Sequence, residues 1–174
     1  MNEFVAEGDL NSDEKGSGAR MNSGKPQLDL IPVRHLRQWW EDEYGLTEYH
    51  PKLSELLLLL TEWQMDESDS LPVAWMRFPY AHRPDVVEVL EYGSGKYAAW
   101  NWAKGQRWGC TLGSLLRHVE CVLKGEEMDE ESGCRHWGHI GANLLFLLWF
   151  QDNYPEGDDR PPVFKDEPRF LESV

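Results

Sequence analysis

The chain has 174 residues, 41% of them apolar, which suits one domain around one core. A net charge of −14 argues against a grip on nucleic-acid polymer or an anionic membrane, both of which call for basic surfaces. It leaves a small phosphorylated ligand open, because a bound cation can bridge carboxylate and phosphate.

Residues 1–23 carry five acids against two bases among Gly, Ser and Asn, and read as a flexible leader. The first helix is expected to start at Pro32 and stop before Gly45, with Leu36, Trp39 and Trp40 on one side. A second begins at Pro51 and runs through Leu53, Leu56, Leu57 and Leu60. Residues 67–83 are ambiguous, with room for one short strand. A third helix opens at Pro84, and Gly93 and Gly95 are expected to end or loosen it. In the fourth, Thr111 caps, Gly125 terminates, and Leu112, Leu115, Leu116, Val119, Val122 and Leu123 share a face. A fifth runs from about Cys134 to Asn153; its stretch Leu144–Phe150 is apolar all round, which places it centrally in the bundle or at a subunit interface. Residues 154–174, with four prolines and six acids, read as an irregular tail that can strap across the body. The fold class expected is all-α, with one helical domain over 24–153.

Nine tryptophans point to an aromatic-rich core or interface. Cys110, Cys121 and Cys134 form no CxxC pair, and an odd count without a signal peptide leads to the expectation of reduced thiols in a cytoplasm. No apolar run reaches the ~18 residues that a membrane span needs.

The candidate sites cluster late in the chain. His136, His139 and Asn143 fall on one helical arc with Ile140, Phe146, Leu147 and Phe150, so a face that becomes apolar carries polar groups needing partners. Just ahead of it, Glu126–Glu131 holds five carboxylates in six positions. One or two acids suit a helix N-terminus. Five repel one another, and Asp129 and Glu131 are the candidates to bind a hard divalent cation through oxygen. Glu88 and Glu91 stand three apart on the third helix; Glu88 lies nearly opposite the buried arc of Val86, Val87, Val89 and Leu90, and Glu91 at its border. The run "GSGKYAAWNWAKG" (93–105) offers Lys96 and Lys104 to phosphate, with Asn101 and Trp102 beside them. Against each stands a plainer reading: satisfied core histidines, a solvated carboxylate pair, a loop over a packed tryptophan. His118 borders the apolar stripe of the fourth helix, next to Arg117. There is no P-loop spacing, His-Asp dipeptide, GxSxG or HExxH, and HxxH at 136–139 lacks a thiolate pair to make a zinc motif.

Four blocks in order, "GKPQLDLIP" (24–32), "VLEYGSGKYAAWNWAKG" (89–105), "LLRHVECVLKGEEMDEESG" (115–133) and "HWGHIGANLLFLL" (136–148), resemble the dATP/dGTP diphosphohydrolase family, the MazZ-type members of the MazG-like all-α nucleotide pyrophosphohydrolases. The resemblance implies a MazG-like helical bundle and a metal-dependent enzyme of phage nucleotide metabolism, placed in the host cytoplasm. It would cleave a purine deoxynucleoside triphosphate, dGTP or dATP, to monophosphate and pyrophosphate. It also implies a homo-oligomer, a dimer or tetramer, with Mg²⁺ or Mn²⁺ on acidic motifs. Carried over by residue, Glu88, Glu91, Asp129 and Glu131 would hold metal. Glu88, Glu91 and His139 would be catalytic. Lys96, Asn101, Trp102, Lys104, His118, His136 and Asn143 would meet the substrate. Residues 36–84 match none of these blocks and read as a divergent helical insertion. Where the MazG pattern has an ExxD pair on a later helix, this chain has histidines and Asn143, while Glu126 and Asp129 keep that spacing ahead of the helix. The rival reading is a non-catalytic helical protein that binds a nucleotide or a partner.

Overall fold

Apolar residues recurring at three- and four-residue intervals account for most of the architecture. In the computed structural model, which describes residues 8–20, 22–162 and 164, seven α-helices form: α1 Val33–Tyr44, α2 Leu46–Tyr49, α3 Pro51–Gln64, α4 Ser70–Arg77, α5 Arg83–Lys96, α6 Trp108–Leu123 and α7 His136–Asn153. Short 3-10 turns occupy Leu28–Leu30, Tyr80–His82, Asn101–Lys104 and Pro155–Gly157. No strand occurs among the described residues, so the chain is all-α. The start of the leader and the end of the tail lie outside the described residues.

The boundaries of α1 and α3 follow their sequence signals. Pro51 occupies the first turn of α3, where a missing N–H costs nothing, and Gly45 closes α1 in a left-handed conformation. Residues 70–77, read as ambiguous, are helical. Leu71 and Ala74 pack inward with Phe78 just beyond, and Pro72 is tolerated because first-turn N–H groups have no intrahelical partner. Gly93 and Gly95 do not end α5, which continues to Lys96. α6 starts three residues before the expected cap: Gly109 donates its N–H to Asp159 Oδ1 at 2.8 Å, and Thr111 is buried inside the helix.

α7 is the central element. Leu144, Leu147 and Phe150 are fully buried, and α6 and α5 flank the helix. Small residues let α5 approach. A Cβ at Gly138 would collide with the Asp85 carbonyl, and one at Gly141 would meet Val86 and lie 2.7 Å from Phe78 Cζ. Gly141→Ala is therefore expected to destabilise the fold by about 1–3 kcal/mol, because α5 and α7 must part. A lower urea midpoint at unchanged slope is the readout.

The leader is docked over part of its length. Gly16 donates its N–H to the Lys104 carbonyl and Gly18 to that of Gly105, and Ala19 and Asn101 exchange two hydrogen bonds of 3.0 and 2.9 Å. A side chain at Gly18 would strike the Gly105 carbonyl oxygen at 2.8 Å, so this close approach needs glycine. In the tail, the Arg160 guanidinium lies against the stacked pair Trp63 and Trp108, 4.9 and 5.0 Å from their ring centroids.

Candidate functional site

Twelve residues, 124–135, connect α6 to α7 and carry the acid run. Left-handed Gly125 and Gly133 turn the chain, and Met128 and Arg135 form an antiparallel bridge. Asp129 donates its N–H to the Cys134 carbonyl, and His136 donates its own to that of Glu127. The resulting tight loop sends its carboxylates in different directions. Glu127 pairs with Arg135 and Glu130 faces solvent, whereas Asp129 and Glu131 line a cavity between α5, α6 and α7.

Asp129 is the fixed point of this loop. Its Oδ2 accepts from Ser132 N–H at 2.9 Å and from the Ser132 hydroxyl at 2.7 Å, and lies 3.5 Å from His139 Nε2. Hydrogen bonding to His139, then to Ser132, holds the carboxyl well below the usual carboxylate range. The tautomer of His139 follows. The single hydroxyl proton of Ser132 goes to Asp129, which can only accept, so the 2.7 Å contact between Ser132 Oγ and His139 Nε2 needs a proton on the imidazole. His139 donates through Nε2, and its neutral form keeps a lone pair on Nδ1.

Its neighbours are imidazoles. The His118 ring stacks on His139 with centroids 4.2 Å apart, and its Nδ1 lies 2.9 Å from Nδ1 of His136. Burial, and next the proximity of His139, push His118 well below the ordinary imidazole range; burial lowers His136 too. These two rings are therefore neutral at physiological pH. On the same helix, Asn143 donates to the His139 carbonyl and accepts from the Arg20 guanidinium.

Cations surround this core. Lys96 and Lys25 each donate to one oxygen of Glu131, and the hydrogen bond from Lys96 leads in lowering the Glu131 pKa. Arg117 donates to the Pro26 carbonyl and to Asn22 Oδ1. Four cations, Arg20, Lys25, Lys96 and Arg117, thus line the cavity against two carboxylates, in a chain of net charge −14. The enclosed volume is about 160 Å³. Ligand pockets usually span about 300–1,000 Å³, so this one encloses less than a typical ligand and is open on one side. At its rim Trp100 is 71% exposed and holds a left-handed φ of 64°, an uncommon conformation for a bulky residue and one that recurs at ligand sites.

Of the residues singled out from the sequence, Asp129, Glu131, His139, His118, Asn143, Lys96, Asn101 and Trp102 line this one cavity. His136 touches it through His118. Three others stand elsewhere. The positions of α5 that line the cavity include Val89, Tyr92, Gly93 and Lys96, at helical spacing; Glu91 projects from the far side of that face, and both Glu88 and Glu91 are exposed. Lys104 donates to the carbonyls of Asp9 and Ser12 and so anchors the leader. Trp102 has one face taken by Phe146, at 4.9 Å. Sequence reasoning missed Arg20, Lys25 and Ser132. No local signal pointed to Arg20, because the Gly-Ser-Gly-Ala run before it is the composition of a flexible leader.

Among the described residues, two groups each bring metal-ligating atoms within 4.8 Å of one another: His118, Asp129 and His136, and Cys121, Glu126 and His136. Among the described residues, no helix is long and apolar enough to cross a membrane.

The family model described as dATP/dGTP diphosphohydrolase, N-terminal, matches residues 62–160. A dATP/dGTP diphosphohydrolase of Salmonella phage PMBT28 is 36% identical over 76 residues, which are 44% of this chain and 26% of the relative. The match thus spans about a quarter of that relative's length. No solved structure matches.

Proposed function

This chain belongs to the dATP/dGTP diphosphohydrolase family, and we propose from that premise that its cavity hydrolyses a purine deoxynucleoside triphosphate, dGTP or dATP, to monophosphate and pyrophosphate. One observation carries the reading: in an acidic protein, four cations and a Ser132-linked His139–Asp129 pair converge on one cavity. Such a constellation suits a polyanion and a proton transfer.

Carboxylate oxygen suits a hard divalent ion, and Asp129 and Glu131, the two carboxylates that line the cavity, are the residues that would hold Mg²⁺ or Mn²⁺. Bound there, the ion would polarise the phosphates and acidify water. The protein's own groups do the rest. Water oxygen bonds to the α-phosphorus while the bond to the α,β-bridging oxygen breaks, and that oxygen leaves with pyrophosphate. His139 takes the water's proton on Nδ1, and Asp129 stabilises the imidazolium through Ser132 and directly. Lys96 and Lys25 exchange Glu131 for the leaving pyrophosphate, and Arg20 and Arg117 hold the remaining phosphate oxygens. The purine stacks at the rim on Trp100 beside Trp102. Glu88 and Glu91 face away from their own cavity, so they join a metal site only across a subunit boundary. A homo-oligomer, dimer or tetramer, is the assembly this role requires, and phage nucleotide metabolism in the host cytoplasm is its setting.

The test is incubation of the purified chain with each of the four deoxynucleoside triphosphates, with Mg²⁺, Mn²⁺ or EDTA, resolving monophosphate and pyrophosphate from inorganic phosphate. Metal-dependent release of pyrophosphate from dGTP or dATP is expected. Release of inorganic phosphate alone, or turnover in EDTA, overturns the mechanism. Binding without turnover favours a non-catalytic nucleotide-binding protein.

A further inference from the structure

His136 has a nitrogen that the reading above does not use. The residue is 3% exposed, and its buried Nε2 makes no hydrogen bond; the Glu126 carboxylate stands 3.9 Å away. A buried polar atom without a partner costs about 1–3 kcal/mol, so such an atom needs an explanation. Two further donor atoms face it. The sulfur of Cys121, near the end of α6, and a carboxylate oxygen of Glu126, in the connection, lie with this imidazole inside a sphere of mutual distances no larger than 4.8 Å. None of the three residues lines the nucleotide cavity.

The tautomer of His136 is set by its other face. Nδ1 lies 2.9 Å from Nδ1 of His118, and one proton must lie between them. When His136 supplies it, Nε2 holds a lone pair directed at Cys121 and Glu126. His118 then acts as the outer partner that fixes the ring, the arrangement imidazole ligands ordinarily have.

We propose that Cys121, Glu126 and His136 bind one divalent ion of the zinc class, at a site separate from the oxygen ligands of the cavity. The donor set decides the class. Thiolate, imidazole and carboxylate together suit Zn²⁺, with tetrahedral preference and a borderline-soft character, whereas Mg²⁺ takes oxygen. Without metal, burial and the neighbouring Glu126 push the Cys121 thiol up to about 11, so it is protonated. Binding displaces that proton: the S–H bond breaks, a metal–sulfur bond forms, and H⁺ leaves to solvent with no change of oxidation state. The Glu126 side chain is 57% exposed, which gives the ion a route in and leaves a fourth position to water. Once bound, the ion ties the end of α6 and the start of α7 to the loop that carries Asp129. The proposal does not rest on the hydrolase reading.

The experiment uses the full chain, reduced, stripped with EDTA and titrated with Co²⁺, whose bond to thiolate absorbs in the near ultraviolet. Expected is a thiolate-to-cobalt band that saturates at one equivalent, persists in C110S and C134S, disappears in C121S and is bleached by Zn²⁺ but not by Mg²⁺. Oxygen ligands at the cavity give no such band, so its absence would overturn this site without touching the hydrolase reading. A band that survives C121S, or is lost in C110S or C134S, also overturns it. If C121S does not fold, by far-ultraviolet circular dichroism, E126Q alters only a largely exposed side chain and is expected to weaken Co²⁺ binding about tenfold or more. Unchanged affinity in that variant overturns the proposal.

Discussion

Asp129→Asn is expected to lower turnover of dGTP or dATP by roughly 100- to 10,000-fold, the range of general acid–base effects, while leaving the helical content unchanged. The carboxylate accepts two hydrogen bonds from Ser132 and lies 3.5 Å from His139 Nε2. An amide can still accept from the Ser132 backbone, so the loop keeps its shape. It cannot carry the negative charge that favours a proton on His139. Metal affinity falls with it, because the charged oxygen is gone. The two losses separate experimentally: raising Mn²⁺ restores only the share due to binding. Wild-type turnover in Asp129→Asn would remove this residue from the chemistry altogether.

Arg20→Met is expected to raise KM about 10- to 100-fold with a smaller change in kcat, the scale of one charged hydrogen-bonding group lost. The guanidinium donates to Thr111 at 3.0 Å and to the Asn143 side chain, and it lines the cavity. Its removal leaves Asn143, 2% exposed, with an unsatisfied carbonyl, so about 1–3 kcal/mol of stability should go with the affinity. Arg20→Lys tells the roles apart. Charge alone would restore KM, whereas the fork across α6 and α7 needs the planar guanidinium. An unchanged KM in both variants would mean that Arg20 only fastens the leader.

How much could be read in advance depends on whether a signal was local. α1 begins after its own proline and ends on its own glycine, and α3 begins on a proline, so these bounds were legible. α6 was not, because its first turn is satisfied by Asp159, fifty residues away, and no window around Trp108 contains that carboxylate. The imidazole arc of His136, His139 and Asn143 was legible from helical spacing, and Asp129 and Glu131, singled out of the acid run, both line the cavity. Glu91 shows the limit of angular reasoning: its place at the border of an apolar arc was a matter of tens of degrees, and the packing of α5 on α7 turned the cavity face toward Val89 and Gly93 instead. Arg20 lay in a stretch whose composition reads as disorder. Only its partners, at Thr111 and Asn143, reveal what it is for.

Those partners also set a schedule. Arg20 and Asn143 are 123 residues apart, and synthesis at about 5–20 residues per second puts roughly 6–25 s between the translation of one and of the other. During that interval the guanidinium has neither its α6 nor its α7 acceptor for most of the time, and the cavity has no wall on that side. A nascent chain therefore cannot complete this cavity while still short of α7; the site forms late, with the last helix of the bundle.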